Sequence, residues 1–286
     1  MKFSVFTVMT PDLTPEELIP KLKAYGYDGV EWRCKETSSE LQKEQPSFWG
    51  NNLCTIDPND SKEQREGLQK MTERHGVETL SINPYLTIGD LQGTEQMMKI
   101  AKEMGASHIR LAFPSYDRSV SYNVLFEGMI EYLKEVQELA RAYGVKGLVE
   151  THHKTIIPSV GLTYRAVESC DPNHIGVIFD PGNMVHEGFE NYRMGMELLG
   201  PYLAHIHIKN GIWQKEKTIE DGTELWEPSW SPVHAGIVDW RQFIADLQAV
   251  GYDGYLGFED FSGTYLTDEA LQRNIEYMRH LVEAVS

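Results

Sequence analysis

Cysteine is scarce in this sequence, and long hydrophobic runs are absent. The three cysteines, Cys34, Cys54 and Cys170, are an odd number and lie far apart. They predict free thiols in a reducing compartment rather than a disulfide framework. No stretch of about 18 apolar residues occurs, and the N-terminus lacks the pattern of a secretory signal. We therefore expect a cytoplasmic protein that does not bind membranes.

Positive charge is also in short supply. Lysine and arginine total 26 against 43 aspartate and glutamate residues, which gives a net charge of −17. Such a surface repels phosphodiester backbones, and this argues against nucleic acid as a partner. Of the 286 residues, 41% are hydrophobic, and no low-complexity tract occurs. One globular domain over residues 1–286 is therefore expected.

Short apolar runs alternate with helical patterns along the whole chain. The predicted strands cover residues 2–7, 29–34, 77–83, 108–113, 145–151, 175–180, 203–210 and 254–261. Several helical stretches end in glycine directly before a strand, and glycine readily adopts the left-handed conformation that ends a helix. Eight strands alternating with helices predict an α/β fold of the (β/α)8 TIM-barrel type. An open doubly wound sheet is the alternative, but no GxGxxG phosphate loop follows any strand.

Four predicted strands in the second half end in a residue that can bind a metal ion. These residues are Glu150, Asp180, His207 and Glu259. In a TIM barrel the carboxyl ends of the strands meet at one mouth, where the chemistry of this fold takes place. Three carboxylates and one imidazole form an oxygen-rich site for a divalent cation, with Mn²⁺ as the first expectation and Co²⁺, Mg²⁺ or Zn²⁺ as alternatives. Taken singly, each residue also has an ordinary structural role as a helix cap, an ion-pair partner or a core histidine.

The two-residue period of β-strands places further charges inside the barrel. The polar residues at predicted interior positions are Glu31, Arg33, Arg110, His205, His207 and Lys209. Burying an unpaired charge costs several kcal/mol, so a purely structural role does not account for this many charged residues in the interior. Their number supports a functional interior.

Two long connections, residues 35–61 and 211–238, follow predicted strands. The tryptophans in them are Trp49, Trp213, Trp226 and Trp230. Long connections in compact domains are usually functional or disordered, and several tryptophans argue against disorder. We predict that residues 211–238 cover the barrel mouth and offer indole faces to a sugar. Packing on the rim or contact with another subunit is the alternative.

Several segments resemble a known family. In the second half they read ETHHK, DPGNMVHEG, HIHIKN, GIVDW and GYDGYLGFEDF, and near the start GYDGVEWR is similar to the family's second strand. Together they resemble the sugar phosphate isomerase/epimerase superfamily, the xylose isomerase-like TIM barrels, over essentially the whole chain. The resemblance implies that Glu150, Asp180, His207 and Glu259 hold one divalent metal ion, and that the two glutamates are the acid–base pair. Keto-sugar epimerases of the family often carry a histidine where this chain has Asn183.

The resemblance implies a metal-dependent sugar epimerase or isomerase that acts on a keto-sugar or a related derivative. Glu150 and Glu259 are expected to exchange a proton next to a carbonyl through a metal-stabilised enediolate. Loss of a β-hydroxyl would instead make the enzyme an inosose dehydratase-like lyase. An endonuclease IV-like hydrolase is a further alternative, which the acidic surface disfavours. A non-catalytic sugar-binding barrel is another, which the presence of both glutamates disfavours.

The expected partner is a small-molecule sugar. No phosphate cradle is evident, which favours an unphosphorylated or oxidised sugar. The candidate substrate contacts are His152, His186, Lys209 and Trp213. For Lys209, neutralisation of the three carboxylates is the alternative role. The sequence leaves open whether the chain forms a homo-oligomer.

Overall fold

Eight short parallel strands form a closed ring in the computed structural model, which describes residues 1–285. Their bounds are β1 (Lys2–Phe6), β2 (Gly29–Cys34), β3 (Glu78–Pro84), β4 (His108–Arg110), β5 (Lys146–Glu150), β6 (Ile175–Phe179), β7 (Leu203–Ile208) and β8 (Tyr255–Phe258). Each strand pairs with the next along the chain, and β1 also pairs with β8, which closes the barrel. The predicted TIM barrel is confirmed.

Helices follow the strands and cover the outside of the barrel. Their bounds are α1 (Pro15–Tyr25), α2 (Lys62–His75), α3 (Leu91–Glu103), α4 (Tyr122–Tyr143), α5 (Val160–Val167), α6 (Pro181–His186), α7 (Tyr192–Leu199), α8 (Trp240–Ala249) and α9 (Thr267–Val285). As predicted, glycines in the left-handed conformation end several of them, for example Gly26 after α1 with a φ of 87° and Gly144 after α4 with a φ of 67°. Within residues 1–285, no helix combines the length and the apolar character needed to cross a membrane.

The two faces of β7 separate an apolar layer from a polar interior. Ile206 and Ile208 are fully buried and belong to the hydrophobic core. His205 and His207 alternate with them, are also buried, and both contact the carboxylate of Glu31 on β2. The predicted faces of this strand are confirmed. The barrel interior is therefore polar at a depth where TIM barrels usually place branched apolar side chains.

The second long connection is an antiparallel β-hairpin rather than an irregular loop. Its strands run Asn210–Thr218 and Glu224–Ser231, and the turn between them contains Asp221 and Gly222. Gly222 has a φ of 88°, a conformation that glycine adopts at little cost. An Asp-Gly pair between two strand-like segments is a recognised hairpin signal, so the sequence contained evidence for this element.

Candidate metal centre and cavity

Four side chains from the ends of consecutive strands converge at the barrel mouth. They are Glu150, Asp180, His207 and Glu259, and one ligand atom of each lies within 4.8 Å of the others. Each of these side chains is at most 2% exposed. The closed, parallel barrel brings the predicted donor set together because it aligns the carboxyl ends of β5 to β8.

Asp180 uses its two carboxylate oxygens for different purposes. Its Oδ1 accepts the backbone N–H of Asn183 at 2.9 Å and caps α6. Its Oδ2 faces the centre and accepts a hydrogen bond from Lys209 Nζ at 2.7 Å. Burial raises the pKa of Asp180 to about 7, with Lys209 opposing the shift and the charges of Glu150 and Glu259 adding to it. The cap and the candidate ligand are therefore the same residue.

Glu150 lies between two cations. Its Oε1 is 3.0 Å from His207 Nδ1, and its Oε2 accepts from Arg110 at 3.0 Å. Burial would raise the pKa of Glu150, but protonated His207 and Arg110 outweigh it and hold that pKa well below its usual range. Glu150 is thus kept ionised, which a metal ligand and a general base both require.

His207 turns its two ring nitrogens toward different carboxylates. Nδ1 faces the centre, 3.0 Å from Glu150 and 3.8 Å from both Asp180 and Glu259. Nε2 points into the barrel, 3.2 Å from Glu31. A hydrogen bond from Nε2–H to Glu31 leaves Nδ1 as the atom available to a metal ion. Carboxylates behind metal-binding histidines commonly fix the tautomer in this way.

Lys209 supplies the positive charge nearest to the other two carboxylates. Its Nζ is 2.7 Å from Asp180 and forms a buried ion pair with Glu259. Burial lowers the pKa of Lys209, but the surrounding carboxylates raise it above its ordinary value. These ion pairs correspond to the alternative role expected for Lys209, neutralisation of the carboxylates, and its predicted role as a substrate contact stays a prediction.

The donor chemistry fits a divalent cation. Glu150, Asp180 and Glu259 are buried together, and a group of three carboxylates requires compensating positive charge. Protonated His207 provides part of it, since its pKa is raised well above the ordinary value by the carboxylates despite its burial. A divalent ion could take that place, with three oxygen donors and one imidazole nitrogen.

A cavity of about 470 Å³, within the range usual for small-molecule sites, is lined by Glu259. It is also lined by Arg110, Asn183 and Lys209, which contact the other candidate carboxylates. The aromatic residues of its wall are Trp49, Tyr85, Phe113, Trp230 and Phe261. Their flat apolar faces suit the C–H face of a sugar ring, and Arg110 and Lys209 add polar groups. Of these aromatics, Phe261 follows Glu259 by two residues, so the strand period was a signal that could have identified it.

Two of the four predicted substrate contacts lie in this wall. His152 and Lys209 line the cavity, whereas His186 stacks against Trp230 with the ring centroids 3.9 Å apart. The indole N–H of Trp213 donates to the carbonyl of Val185 at 2.7 Å. The hairpin pairing puts Trp230 opposite Gly211, close to the barrel, and it is Trp230 rather than Trp213 that faces the cavity. Trp226 is 52% exposed.

Asn183 is a site residue whose contacts the sequence did not reveal. Its Nδ2 donates to Glu150 at 3.2 Å and to Asp180 at 2.8 Å, while its Oδ1 accepts from Lys209 at 3.3 Å. It therefore holds two candidate ligands and their counter-ion in one arrangement. A signal was available, because Asn183 is the third residue after the capping Asp180 and must lie beside it.

A family model and curated relatives match this architecture. The model described as "Xylose isomerase-like TIM barrel" matches residues 19–281. An inosose dehydratase from Geobacillus thermodenitrificans is 22% identical over 215 residues, which cover 67% of this chain and 72% of that protein. An inosose dehydratase from Mesomycoplasma hyopneumoniae is 29% identical over 104 residues, 36% of this chain. In that case the match spans only 34% of the relative's length.

Solved structures share the fold over the whole chain. An IolI protein with a bound zinc atom has a TM-score of 0.75 and 16% identity, covering 100% of this chain and 99% of that one. D-psicose 3-epimerase with D-tagatose, from Clostridium cellulolyticum H10, has a TM-score of 0.72 and 16% identity, covering 99% of each chain. At these identities the likeness shows a common fold alone.

Proposed function

The chain belongs to the xylose isomerase-like TIM-barrel family, and from this premise we propose that it is a metal-dependent sugar epimerase or isomerase. The observation that carries the proposal is the pair of buried glutamates, Glu150 and Glu259. Glu259 lines a sugar-sized cavity, and Glu150 accepts a hydrogen bond from Arg110 in the wall of that cavity. Both belong to a donor set within 4.8 Å and both are paired with a cation, Arg110 or Lys209. The substrate proposed is a keto-sugar or a related sugar derivative.

Glu150, Asp180, His207 and Glu259 would hold the metal ion, for which we propose Mn²⁺, with Co²⁺, Mg²⁺ or Zn²⁺ also compatible with the donors. When bound, a divalent ion supplies a Lewis acid that polarises the substrate carbonyl and acidifies the neighbouring C–H. Glu31 keeps Nδ1 of His207 directed at the centre. Asn183 keeps Glu150 and Asp180 together.

The two glutamates would move the proton. Glu150, held ionised, is suited to remove a proton from the carbon next to the carbonyl. Glu259 would return a proton to the opposite face of that carbon, which inverts its configuration. Return of the proton to the neighbouring carbon would give aldose–ketose isomerisation. The aromatic wall would position the sugar ring and exclude water.

Dehydration is the second candidate function, because both curated relatives described above are inosose dehydratases. In that reaction the proton is removed in the same way and a β-hydroxyl then leaves. His152 and Lys209 line the cavity and could hydrogen-bond the leaving oxygen. Burial lowers the pKa of His152 to about 4, so its imidazole is neutral at pH 7. Protonated Lys209 is therefore the group of the two that carries a proton for the oxygen that leaves as water.

Proton exchange in D₂O tests both candidates. The Mn²⁺-loaded protein would be incubated with a panel of ketoses and cyclic ketones, and C–H exchange and products would be followed by NMR and mass spectrometry. We expect deuterium incorporation, with a new epimer or isomer for the first function and loss of water for the second. Glu150→Gln and Glu259→Gln are each expected to abolish exchange.

Glu78→Gln is the matched control, since it removes the same charge from a side chain that is 49% exposed on the surface. It should exchange protons at the wild-type rate. Full activity in Glu150→Gln or Glu259→Gln would remove that residue from the mechanism.

We also propose a cytoplasmic location, since Cys34, Cys54 and Cys170 are buried free thiols. A sugar is the proposed partner, and the net charge of −17 disfavours nucleic acid and anionic membranes. A homo-oligomer is compatible with these features.

A further inference from the structure

Three positive side chains surround one aromatic residue in the cavity wall. The guanidinium of Arg33 lies 5.4 Å from the ring centroid of Tyr85, Lys35 Nζ lies 5.4 Å from it, and the guanidinium of Arg110 lies 5.6 Å from it. Arg33 and Lys35 come from the end of β2 and the residue after it, and Arg110 ends β4. Three cations are thus gathered around one wall residue in a chain of net charge −17, and Arg110 among them lines the cavity itself. We name these three side chains the cationic edge.

Arg33 is buried without a carboxylate partner. Its side chain donates to the hydroxyl of Thr55 and, at 3.2 Å, to the carbonyl of Trp49, and both acceptors are neutral. Arg33 is 1% exposed, and its Nε has no hydrogen-bond partner. A buried charge is normally paired, because its desolvation is costly. The other cations beside the cavity are paired in this way, Arg110 with Glu150 and Lys209 with Glu259.

Lys35 adds a second positive charge that no carboxylate of the described chain balances. Among residues 1–285, no carboxylate forms an ion pair with Lys35 or with Arg33. Both lie 5.4 Å from the ring centroid of Tyr85, so the two like charges are at most about 11 Å apart and repel. The carboxylates of the metal centre do not relieve this, because Arg110, Lys209 and a divalent ion would already compensate them. An anion is the missing component at this edge.

The cationic edge adjoins the cavity that holds the substrate in the proposed function. Tyr85 and Arg110 line the cavity, and so does Trp49, whose carbonyl accepts from Arg33. A ligand that contacts Glu259 at one end of the cavity can therefore present its other end to Tyr85 and the surrounding cations. The field of unpaired charges is strong there, since the site is partly withdrawn from water.

The geometry points to an anion-binding subsite at Arg33, Lys35 and Arg110 around Tyr85, which would select a substrate that carries an anionic oxygen group remote from the reacting carbons. This inference rests on the proposed function for the assignment of the cavity. Carboxylate and phosphate share the chemistry that such an edge recognises, and guanidinium groups bind both. A carboxylate, and hence a sugar acid, is the group we expect, because the sequence contains no GxGxxG phosphate loop.

Paired ligands test the subsite without requiring turnover. Calorimetry on the Mn²⁺-loaded protein would compare D-gluconate with D-sorbitol, which share a hydroxylated six-carbon chain and differ in one carboxylate. D-glucose 6-phosphate and D-glucose form the phosphate arm. We expect gluconate to bind at least about tenfold more tightly than sorbitol, because one charge-assisted hydrogen bond contributes that much binding free energy. A larger preference in the phosphate arm would identify phosphate as the group bound.

Variants separate the subsite from the metal. Arg33→Gln and Lys35→Gln should each reduce the preference for the anion severalfold and leave sorbitol binding unchanged. Lys70→Gln, which removes a 71%-exposed lysine, should retain the full preference. Lys35→Gln decides the question if loss of the buried Arg33 prevents folding, because Lys35 is only partly buried.

The outcomes distinguish this inference from the proposed function. Equal affinities within both pairs, together with normal metal binding, would overturn the subsite alone. A preference that survives in both variants would place the anion at the metal ion and also overturn it. Failure to bind metal and any of the four ligands would overturn the proposed function and the subsite together.

Discussion

At the scale of the residue, the candidate site depends on side chains that offer two polar atoms to two different partners. Asp180 caps α6 with one oxygen and faces the centre with the other. His207 presents Nδ1 to the candidate ligands and Nε2 to Glu31. A structural role and a functional role are therefore compatible in each of these residues. Changing either partner should disturb both roles.

Glu31→Gln tests this coupling at His207. The amide keeps the size of the side chain but loses the charge that accepts from Nε2–H, and its N–H₂ group can turn toward the imidazole instead. We expect metal affinity to fall by about 10- to 100-fold, the usual effect of changing a residue behind a metal-binding histidine. Titration of Mn²⁺ by calorimetry measures it.

Glu78→Gln serves as the control, with unchanged affinity expected for a surface position. If Glu31→Gln binds Mn²⁺ as tightly as the wild type, Glu31 does not orient His207.

At the scale of the element, close contact between strands determines which side chains fit inside the barrel. Gly257 on β8 faces the buried pair formed by Glu31 and His205, whose Oε1 and Nε2 atoms are 3.0 Å apart. A Cβ atom at Gly257 would collide with the Glu31 carboxylate and the His205 ring. Glycine is therefore needed at this strand position for lack of space rather than for backbone flexibility.

Gly257→Ala should lower the free energy of unfolding by about 1–3 kcal/mol, since overpacking forces buried side chains or the strand to move. Urea denaturation measures the change. Gly67→Ala is the matched control, because a Cβ at this position in α2 meets no atom within 4 Å. Gly67→Ala should raise the free energy of unfolding by about 0.5–1 kcal/mol, because alanine has a higher helix propensity than glycine. An unchanged midpoint for Gly257→Ala would contradict the packing argument.

At the scale of the whole molecule, the candidate metal centre joins strands that lie far apart in the chain. Glu150 and Glu259 belong to β5 and to the residue after β8, and His207 contacts Glu31 across 176 residues of sequence. The donor set therefore exists only when the barrel is closed. A metal ion that binds it binds the folded state alone and must stabilise the fold.

Free Mn²⁺ at about 100 times its dissociation constant should raise the free energy of unfolding by about 2.7 kcal/mol. For a chain of this size the melting temperature should then increase by roughly 4–5 °C. Scanning calorimetry with and without Mn²⁺, and after chelation, measures the shift. His207→Ala should show no such increase. A melting temperature unaffected by every divalent ion tested would rule out the centre.

The sequence by itself determined the barrel and the residues at its mouth. Strand period, glycine-terminated helices and apolar runs are local properties, so they located all eight barrel strands. Parallel strands then require Glu150, Asp180, His207 and Glu259 to face one mouth.

Only the tertiary structure decided how these residues are paired and what surrounds them. The hydrogen bonds of Asn183, the ion pairs of Lys209 and the choice of Trp230 rather than Trp213 for the cavity wall all depend on it. So does the unpaired charge of Arg33 beside Tyr85. The physical reason is that such contacts depend on barrel closure and side-chain direction across distant segments, and local periodicity carries no information about either.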